Sequence, residues 1–296
     1  MSQVTITVFT PTYNRATLLT ALYGSLLLQD DHDFIWLIVD DGSTDDTASV
    51  VSSFMREGKL QIKYVRQSNQ GKYIAHNTGV KNCDTYLFVC VDSDDKLRKD
   101  AISKTKRYWE AVGHDPRICG IVSPKKMTNS SELMKNPPPF SSLMNLYNRK
   151  EHSGETMLVY RTDILRQYLF PEVPGEKFMS EIVIYYQIDK KYKLAVQNEF
   201  LYEAEYRPDG LTLNIEKLHW KNPHSMFICY SIAAACQSSF IKAAKSYGCA
   251  LAWRRIHKIT SPFIMKPSVW VILAGTFLQI HYMRIFKEQQ KNNGDR

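Results

Sequence analysis

Phe34-Ile-Trp-Leu-Ile-Val-Asp-Asp-Gly-Ser43 and Tyr86-Leu-Phe-Val-Cys-Val-Asp-Ser-Asp-Asp95 share one pattern: a continuous apolar run that ends in carboxylates. Such a run suits a strand covered on both faces, as in a parallel sheet. Acids that follow such strands fall at the carboxyl edge, where open α/β sheets bind their ligands. Packing carboxylates along one edge is costly unless something positive compensates. A divalent cation does so, because hard metals take oxygen ligands. The Asp92-Ser-Asp94 spacing sets two carboxylates on one side of an extended segment, so that both can face one ion. The competing explanation is that these acids only cap helices and turns. It stays open for Asp40 and Asp41 taken alone, and is the weaker one for Asp92, Asp94 and Asp95.

Working outward, the chain alternates strands and helices through its first 125 residues. Val4–Phe9 is β-branched, and the turn Pro11-Thr12-Tyr13-Asn14 follows it. Leu18, Leu19, Leu22 and Leu26 form an apolar helical stripe within Ala16–Leu28. Ser43 or Thr44 is placed to cap a helix running to about Phe54. Leu60–Val65, Tyr73–Lys81, Arg98–Val112 and Ile118–Val122 continue the alternation. This order predicts an α/β fold, a Rossmann-like, mostly parallel sheet flanked by helices. Residues 127–150, with Pro137-Pro-Pro139, read as an irregular, mobile loop. Beyond it come a strand at Thr156–Tyr160, a helix near Ser180–Lys190, strands within Lys193–Tyr206 and a turn at Arg207-Pro-Asp-Gly210. From Ile215 on, the pattern is helical.

Composition narrows the function. The six cysteines form no CxxC pair, so neither a zinc site nor a disulfide framework is expected, and they read as reduced cytosolic thiols. The N-terminus carries no charged n-region and apolar h-region, so no signal peptide is expected. There is no GxGxxG after the first strand and no GxxxxGK[ST], which argues against dinucleotide oxidoreductases and P-loop NTPases. A nucleotidyltransferase would want a Gly- and Lys-rich phosphate loop where Pro11–Arg15 stands. A non-catalytic binding scaffold would not need the Asp92/Asp94 pair.

Four stretches in succession resemble the signatures of family 2 glycosyltransferases of GT-A fold. They are Thr10-Pro-Thr-Tyr-Asn-Arg15, Val39-Asp-Asp-Gly-Ser-Thr-Asp45, Asn69-Gln-Gly-Lys72 with Asn77-Thr-Gly79, and Val91-Asp-Ser-Asp-Asp95. Gly175-Glu-Lys-Phe178 to Glu181 and Glu205–Leu211 resemble a bacterial surface-polysaccharide branch. The resemblance implies a nucleotide-sugar donor, a UDP-sugar, and transfer with inversion to a saccharide acceptor in O-antigen or capsule synthesis. Thr10, Pro11 and Arg15 would line the nucleotide pocket, Arg15 being otherwise a surface helix cation. Asp41 would bond the base, Lys72 would lie near the phosphates, and Asp92 would bind ribose or metal. Asp94 would be the direct ligand of the metal, Mn²⁺ or Mg²⁺, and Asp95 a supporting carboxylate or a helix cap. Glu181 would be the catalytic base, with Glu176 as fallback. The family pattern has an acid pair where this chain has Glu181-Ile182, and the alternative is that Glu181 only complements a helix dipole.

Two parts are expected. Residues 1–212 form the GT-A domain, with a nucleotide-binding half (1–125) and an acceptor-side half (126–212), and residues 213–296 form a helical extension. Of 38 Lys and Arg and 30 Asp and Glu, twelve cations and two acids lie from Lys217 on, leaving 26 and 28 before it. The front is slightly acidic and the back strongly basic. Ser268–Met283 is apolar but, at sixteen residues, short of the roughly 20 needed to span a bilayer. Flanked by Lys266, Arg284 and Lys287, it reads as an interfacial helix on an anionic membrane surface, beside a polyprenyl-diphosphate-linked acceptor. A core helix or a dimer contact is the alternative. No nucleic-acid partner is expected.

Overall fold

A computed structural model describes residues 5–128, 132–150, 152–204 and 215–294. The anticipated turn Arg207–Gly210 and the stretch Glu205–Leu211 lie outside the described residues. The backbone groups into two compact units, one of residues 1–169 with 191–207, the other of residues 170–190 with 208–296.

In the first unit the chain runs β1 (Ile6–Thr12), α1 (Ala16–Leu27), β2 (Phe34–Asp40), α2 (Thr47–Glu57), β3 (Gln61–Arg66), α3 (Lys72–Asn82) and β4 (Leu87–Cys90). It continues through β5 (Lys96–Leu97), α4 (Ala101–Val112), β6 (Ile118–Pro124), β7 (Lys126–Met127), β8 (Phe140–Ser141), α5 (Leu143–Asn148), β9 (Thr156–Arg161) and α6 (Thr162–Leu165). In the second unit lies α7 (Ile182–Asp189), after which β10 (Lys193–Val196) and β11 (Tyr202–Ala204) return to the first. The main sheet has the order β3-β2-β1-β4-β9-β6-β10-β8, and β5-β11-β7 form a small second sheet. β1, β2, β3 and β4 are parallel, whereas β9 is antiparallel to both β4 and β6.

The apolar runs form buried strands. Val8, Trp36, Ile38 and Val89 join Leu19, Leu22 and Phe54 in one core, with Tyr23 stacked on Phe54 at 4.0 Å. On the opposite face α3 packs hard on β1. A Cβ built on Gly79 would fall 2.5 Å from the Phe9 ring, so a side chain there would push the helix off the sheet.

Two expectations change. The helix after β2 begins at Thr47 with Asp46 at its N-cap, not at Ser43 or Thr44, because Ser43 Oγ instead accepts the Asn14 N–H at 2.9 Å. Residues 127–150 are not an irregular loop throughout. Ser142 caps α5 by accepting the Asn145 N–H, and Leu143, Met144 and Leu146 are buried.

The second unit adds α8 (Ile215–Lys221), α9 (Pro223–Cys236), α10 (Phe240–Ile256) and α11 (Val269–Gly294) to α7. α11 is longer than the apolar stretch suggested: Val269–Gln290, 22 residues, is long and apolar enough to cross a membrane, with 17% of its most apolar window buried. None of the six cysteines is in a disulfide, and burial pushes Cys236 up to about 11 and Cys229 up to about 12, so neither is a ready nucleophile.

Candidate active site

Strand order reverses at β1, which has β2 on one side and β4 on the other. Thr12 pairs with Asp40 and Phe9 with Cys90. Asp41 N–H then reaches Thr12 O at 2.8 Å, and Val91 N–H reaches Phe9 O at 2.8 Å. The two acidic clusters therefore leave the same edge on either side of one strand, about 10 Å apart at two strand spacings. This is the switch point at which open α/β sheets take ligands.

On the β2 side, three loops are tied together. Asn14 is left-handed (φ 52°), and its Oδ1 accepts the Thr44 N–H at 2.8 Å and the Asp45 N–H at 3.3 Å. Gly42 has φ +81°, and a Cβ on it would lie 2.8 Å from Asn69 N, so this turn lies flat on the next loop. Asp41 joins the third loop: Oδ1 accepts from Gln67 Nε2 (2.7 Å) and Gln70 N (2.9 Å), and Oδ2 from Gly71 N (2.7 Å). A carboxylate accepts about four hydrogen bonds, so Asp41 both ties this loop in place and has capacity for one more donor.

Asp40 is fully buried, accepting from Ser43 N at 2.7 Å and Tyr64 Oη at 2.5 Å; for it the turn-forming explanation holds. Thr10 also turns inward. Its hydroxyl accepts the Trp36 indole N–H at 3.0 Å in the core, so its side chain is not a pocket wall. Pro11 is buried at the strand end, and Arg15, half-exposed, closes the loop by accepting Leu18 and Leu19 N–H groups on its carbonyl.

On the β4 side, Gly71 (φ 95°) turns the chain into α3, whose first residue is Lys72. Lys72 Nζ lies 2.8 Å and 3.0 Å from the two Asp92 oxygens. Burial raises the Asp92 pKa, but the charges of Lys72 and Lys125 outweigh it and hold the carboxyl below its usual value. Asp94 is half-exposed beside it. Asp95 is 6% exposed, and burial pushes it up to about 6 against the pull of Lys125 and Tyr202. Tyr202 on β11 accepts the Asp92 N–H at 3.1 Å and donates to Asp95 Oδ2 at 2.6 Å. Lys125 stands 4.2 Å over the Tyr202 ring and 3.8 Å from Asp95. Asp95 thus anchors the acidic loop from below.

Gln67, Lys125 and Tyr202 were not singled out from sequence. Gln67 lies one residue past β3, and Lys125 directly follows the buried β6, positions equivalent to those that drew notice to Asp41 and Asp92. Tyr202 carries no local signal.

The donor set fits a hard cation. Asp92 and Asp94 offer carboxylate oxygens at one edge, and Mg²⁺-type ions are held by one or two carboxylates plus substrate phosphates. Among the described residues no three His, Cys, Asp or Glu side chains converge, so further ligands would come from a diphosphate and water.

Glu181 and Glu176 belong to the second unit. Glu181 is exposed, immediately before α7, and its side chain makes no capping hydrogen bond to that helix. Glu176 cannot serve as the fallback base. It is 9% exposed, accepting the His224 N–H (2.8 Å) and Nδ1–H (3.0 Å) on Oε1 and the Ser225 N–H (2.7 Å) on Oε2, at the start of α9. Reciprocally, Asn222 Oδ1 accepts the Lys177 N–H (2.8 Å) and the Phe178 N–H (3.1 Å). The two side chains clamp the loop that leads to Glu181.

A sheet of this order, with its acids at the switch point, defines a nucleotide-binding α/β fold of GT-A type. The glycosyl transferase family 2 model matches residues 7–169, more than half of the sequence, and the chain belongs to that family. It is 26% identical over 237 residues to the GalNAc(5)-diNAcBac-PP-undecaprenol beta-1,3-glucosyltransferase of Campylobacter jejuni, covering 76% of this chain and 71% of that one. With two uncharacterised rickettsial glycosyltransferases, of Rickettsia conorii and Rickettsia felis, it shares 34% identity over 110 and 105 residues. These matches cover 37% and 36% of this chain and span only 18% and 17% of the relatives' length. The crystal structure of Staphylococcus aureus TarS 1–349 in complex with UDP-GlcNAc has the same fold, at TM-score 0.65 and 21% identity, covering 93% of this chain and 81% of that one.

Proposed function

We propose that this chain is a metal-dependent, inverting hexosyltransferase that moves a sugar from a UDP-sugar to a saccharide on a polyprenyl diphosphate, in bacterial O-antigen or capsule synthesis. It works in the cytoplasm, at the inner face of the plasma membrane. The observation that carries the reading is the pair of acidic loops flanking β1: Asp41 on one side, Asp92 with Lys72 and Asp94 on the other. The carbohydrate chemistry of the Campylobacter glucosyltransferase and the UDP-GlcNAc held by TarS support the donor and acceptor classes.

The residues divide the work. Asp41, with one accepting position left, takes an N–H of the uracil base. Lys72 moves from Asp92 to the diphosphate as the bond to the sugar breaks, offsetting the growing negative charge. Asp92 and Asp94 would hold Mn²⁺ or Mg²⁺, and the ion would supply Lewis-acid stabilisation of negative charge developing on the leaving diphosphate, an effect of several kcal/mol. Glu181 accepts the proton of the acceptor hydroxyl, a contribution of roughly 10²–10⁴-fold. One displacement at the anomeric carbon inverts its configuration.

A panel of nucleotide sugars with Mn²⁺, scored by thermal stabilisation and slow UDP release, tests this. We expect UDP-sugars alone to stabilise, Asp94→Ala to abolish the metal-dependent part, and Glu181→Gln to keep donor binding and lose transfer. Metal-independent UDP release, or full transfer by Glu181→Gln, would end the corresponding assignment.

A further inference from the structure

The exposed face of α11 is apolar where a solvent-facing helix is ordinarily polar. Trp270 is 73% and Phe277 84% exposed, and Leu273 and Ile280 lie on the same stripe at helical spacing. α10 and α11 run parallel. Gly275 sits against Ala244 and Tyr247, Gly248 against Leu278, and the Trp253 ring 5.1 Å from that of Phe286. Their N-terminal ends lie together, so the exposed Phe240 and Ile241 of α10 occupy the same end of the pair as Trp270.

Exposed cations lie on both helices and just ahead of α11: Lys242, Lys245, Lys266, Arg284 and Lys287. Among the described residues the one acid on α10 or α11 is Glu288. A second copy of the chain is a poor occupant, since a two-fold contact would set these cations against each other with little to answer them. An anionic lipid surface supplies both missing complements, apolar depth and negative charge. The geometry favours lying on the bilayer over crossing it. The exposed apolar stripe runs from Val269 to Ile280, about 17 Å at 1.5 Å per residue, roughly half of a ~30 Å hydrocarbon core. Beyond it the same face presents His281, Arg284 and Lys287.

We infer that α11, with the N-terminal end of α10, is a docking surface for an anionic bilayer, the Trp270–Phe277 stripe set into the headgroup boundary and the lysines and arginines at its rim. This extends the reading of a lipid-linked acceptor but is measured without donor or acceptor, so the two can fail separately. The test is co-sedimentation of the full chain with phosphatidylcholine vesicles, with and without about a third phosphatidylglycerol. Light scattering of the free protein accompanies it. The variants are Trp270→Ser with Phe277→Ser, and Lys266→Gln with Arg284→Gln and Lys287→Gln, all at exposed positions and checked for an unchanged melting temperature. We expect binding to anionic vesicles at least roughly tenfold tighter than to neutral ones, and a loss of at least roughly tenfold in the aromatic variant. Each cation removed should weaken binding by roughly fivefold. Three results would each overturn the inference. One is equal binding by wild type and the aromatic variant, and another is a wild-type dimer that the aromatic variant makes monomeric. The third is wild type that resists alkaline extraction from vesicles, as a spanning helix does.

Discussion

Removing one hydroxyl, Tyr202→Phe, should loosen the acidic loop without opening a cavity, since the ring stays in place. Tyr202 is 1% exposed, and its oxygen both accepts the Asp92 N–H and donates to Asp95 Oδ2. A hydrogen bond to a buried carboxylate contributes about 1.5–3 kcal/mol, and an N–H left without an acceptor costs about 1–3 kcal/mol more. Asp92 is half-exposed, so water relieves part of the second loss, and we expect a net destabilisation of about 3 kcal/mol. In a unit of this size that is roughly 6–12 °C in melting temperature. The functional consequence is separable. With its backbone anchor gone, Asp92 no longer holds its place beside Asp94, and affinity for UDP with Mn²⁺ should fall about tenfold, or ~1.4 kcal/mol. Calorimetry gives the first quantity and a titration of UDP in Mn²⁺ below the melting range gives the second. A variant that melts early yet binds Mn²⁺·UDP as wild type does would make the tyrosine a fold element only. One that melts normally would refute the relay itself.

Three further outcomes follow from the same geometry. Lys72→Met removes the cation that competes for Asp92, so Mn²⁺ alone should bind about tenfold tighter while UDP binds more weakly, read by paramagnetic resonance of free Mn²⁺; unchanged Mn²⁺ affinity would show that the ion pair does not guard the site. Asn222→Ala frees the backbone of Lys177 and Phe178 and should lower kcat at least tenfold with UDP affinity unchanged, while Asn222→Asp, which keeps the accepting oxygen, restores much of the rate. A loss of UDP affinity instead would place the clamp's effect elsewhere. His76 lies between Phe9 and Phe88, and burial, aided by the charge of Lys72, takes its pKa from 6.5 down to about 3. Because the folded value is the lower one, His76 contributes full stability above pH ~6.5 and loses it as pH falls, by up to ~1.4 kcal/mol per unit. Denaturant titrations at pH 6.5 and 4.5 should differ by about 2–3 kcal/mol more in wild type than in His76→Met.

What could be read in the sequence was whatever is local in it. An apolar run ending in acids locates a strand and its edge within a few residues, so the sequence alone puts Asp41 and Asp92 at one rim, as the pairing of β2 and β4 with β1 shows. Roles set by partners far along the chain were not legible. Thr10 looked like pocket lining until Trp36, 26 residues on, took its hydroxyl. Ser43 looked like a helix cap until the left-handed Asn14 claimed it. Glu176 and Asp95 illustrate the rule most clearly. Each sits within a motif that suggests chemistry, yet Glu176 is bound by His224 and Ser225, 48 and 49 residues away, and Asp95 by Tyr202, 107 residues away. Among these carboxylates, burial separates those that hold loops from those proposed to act in the reaction. Asp40, Asp95 and Glu176 are enclosed and hold loops in place, whereas Asp92, Asp94 and Glu181 retain access to solvent. Asp41 falls between: it is enclosed and holds the third loop through three hydrogen bonds, with capacity for one more donor, which suits the base contact proposed for it.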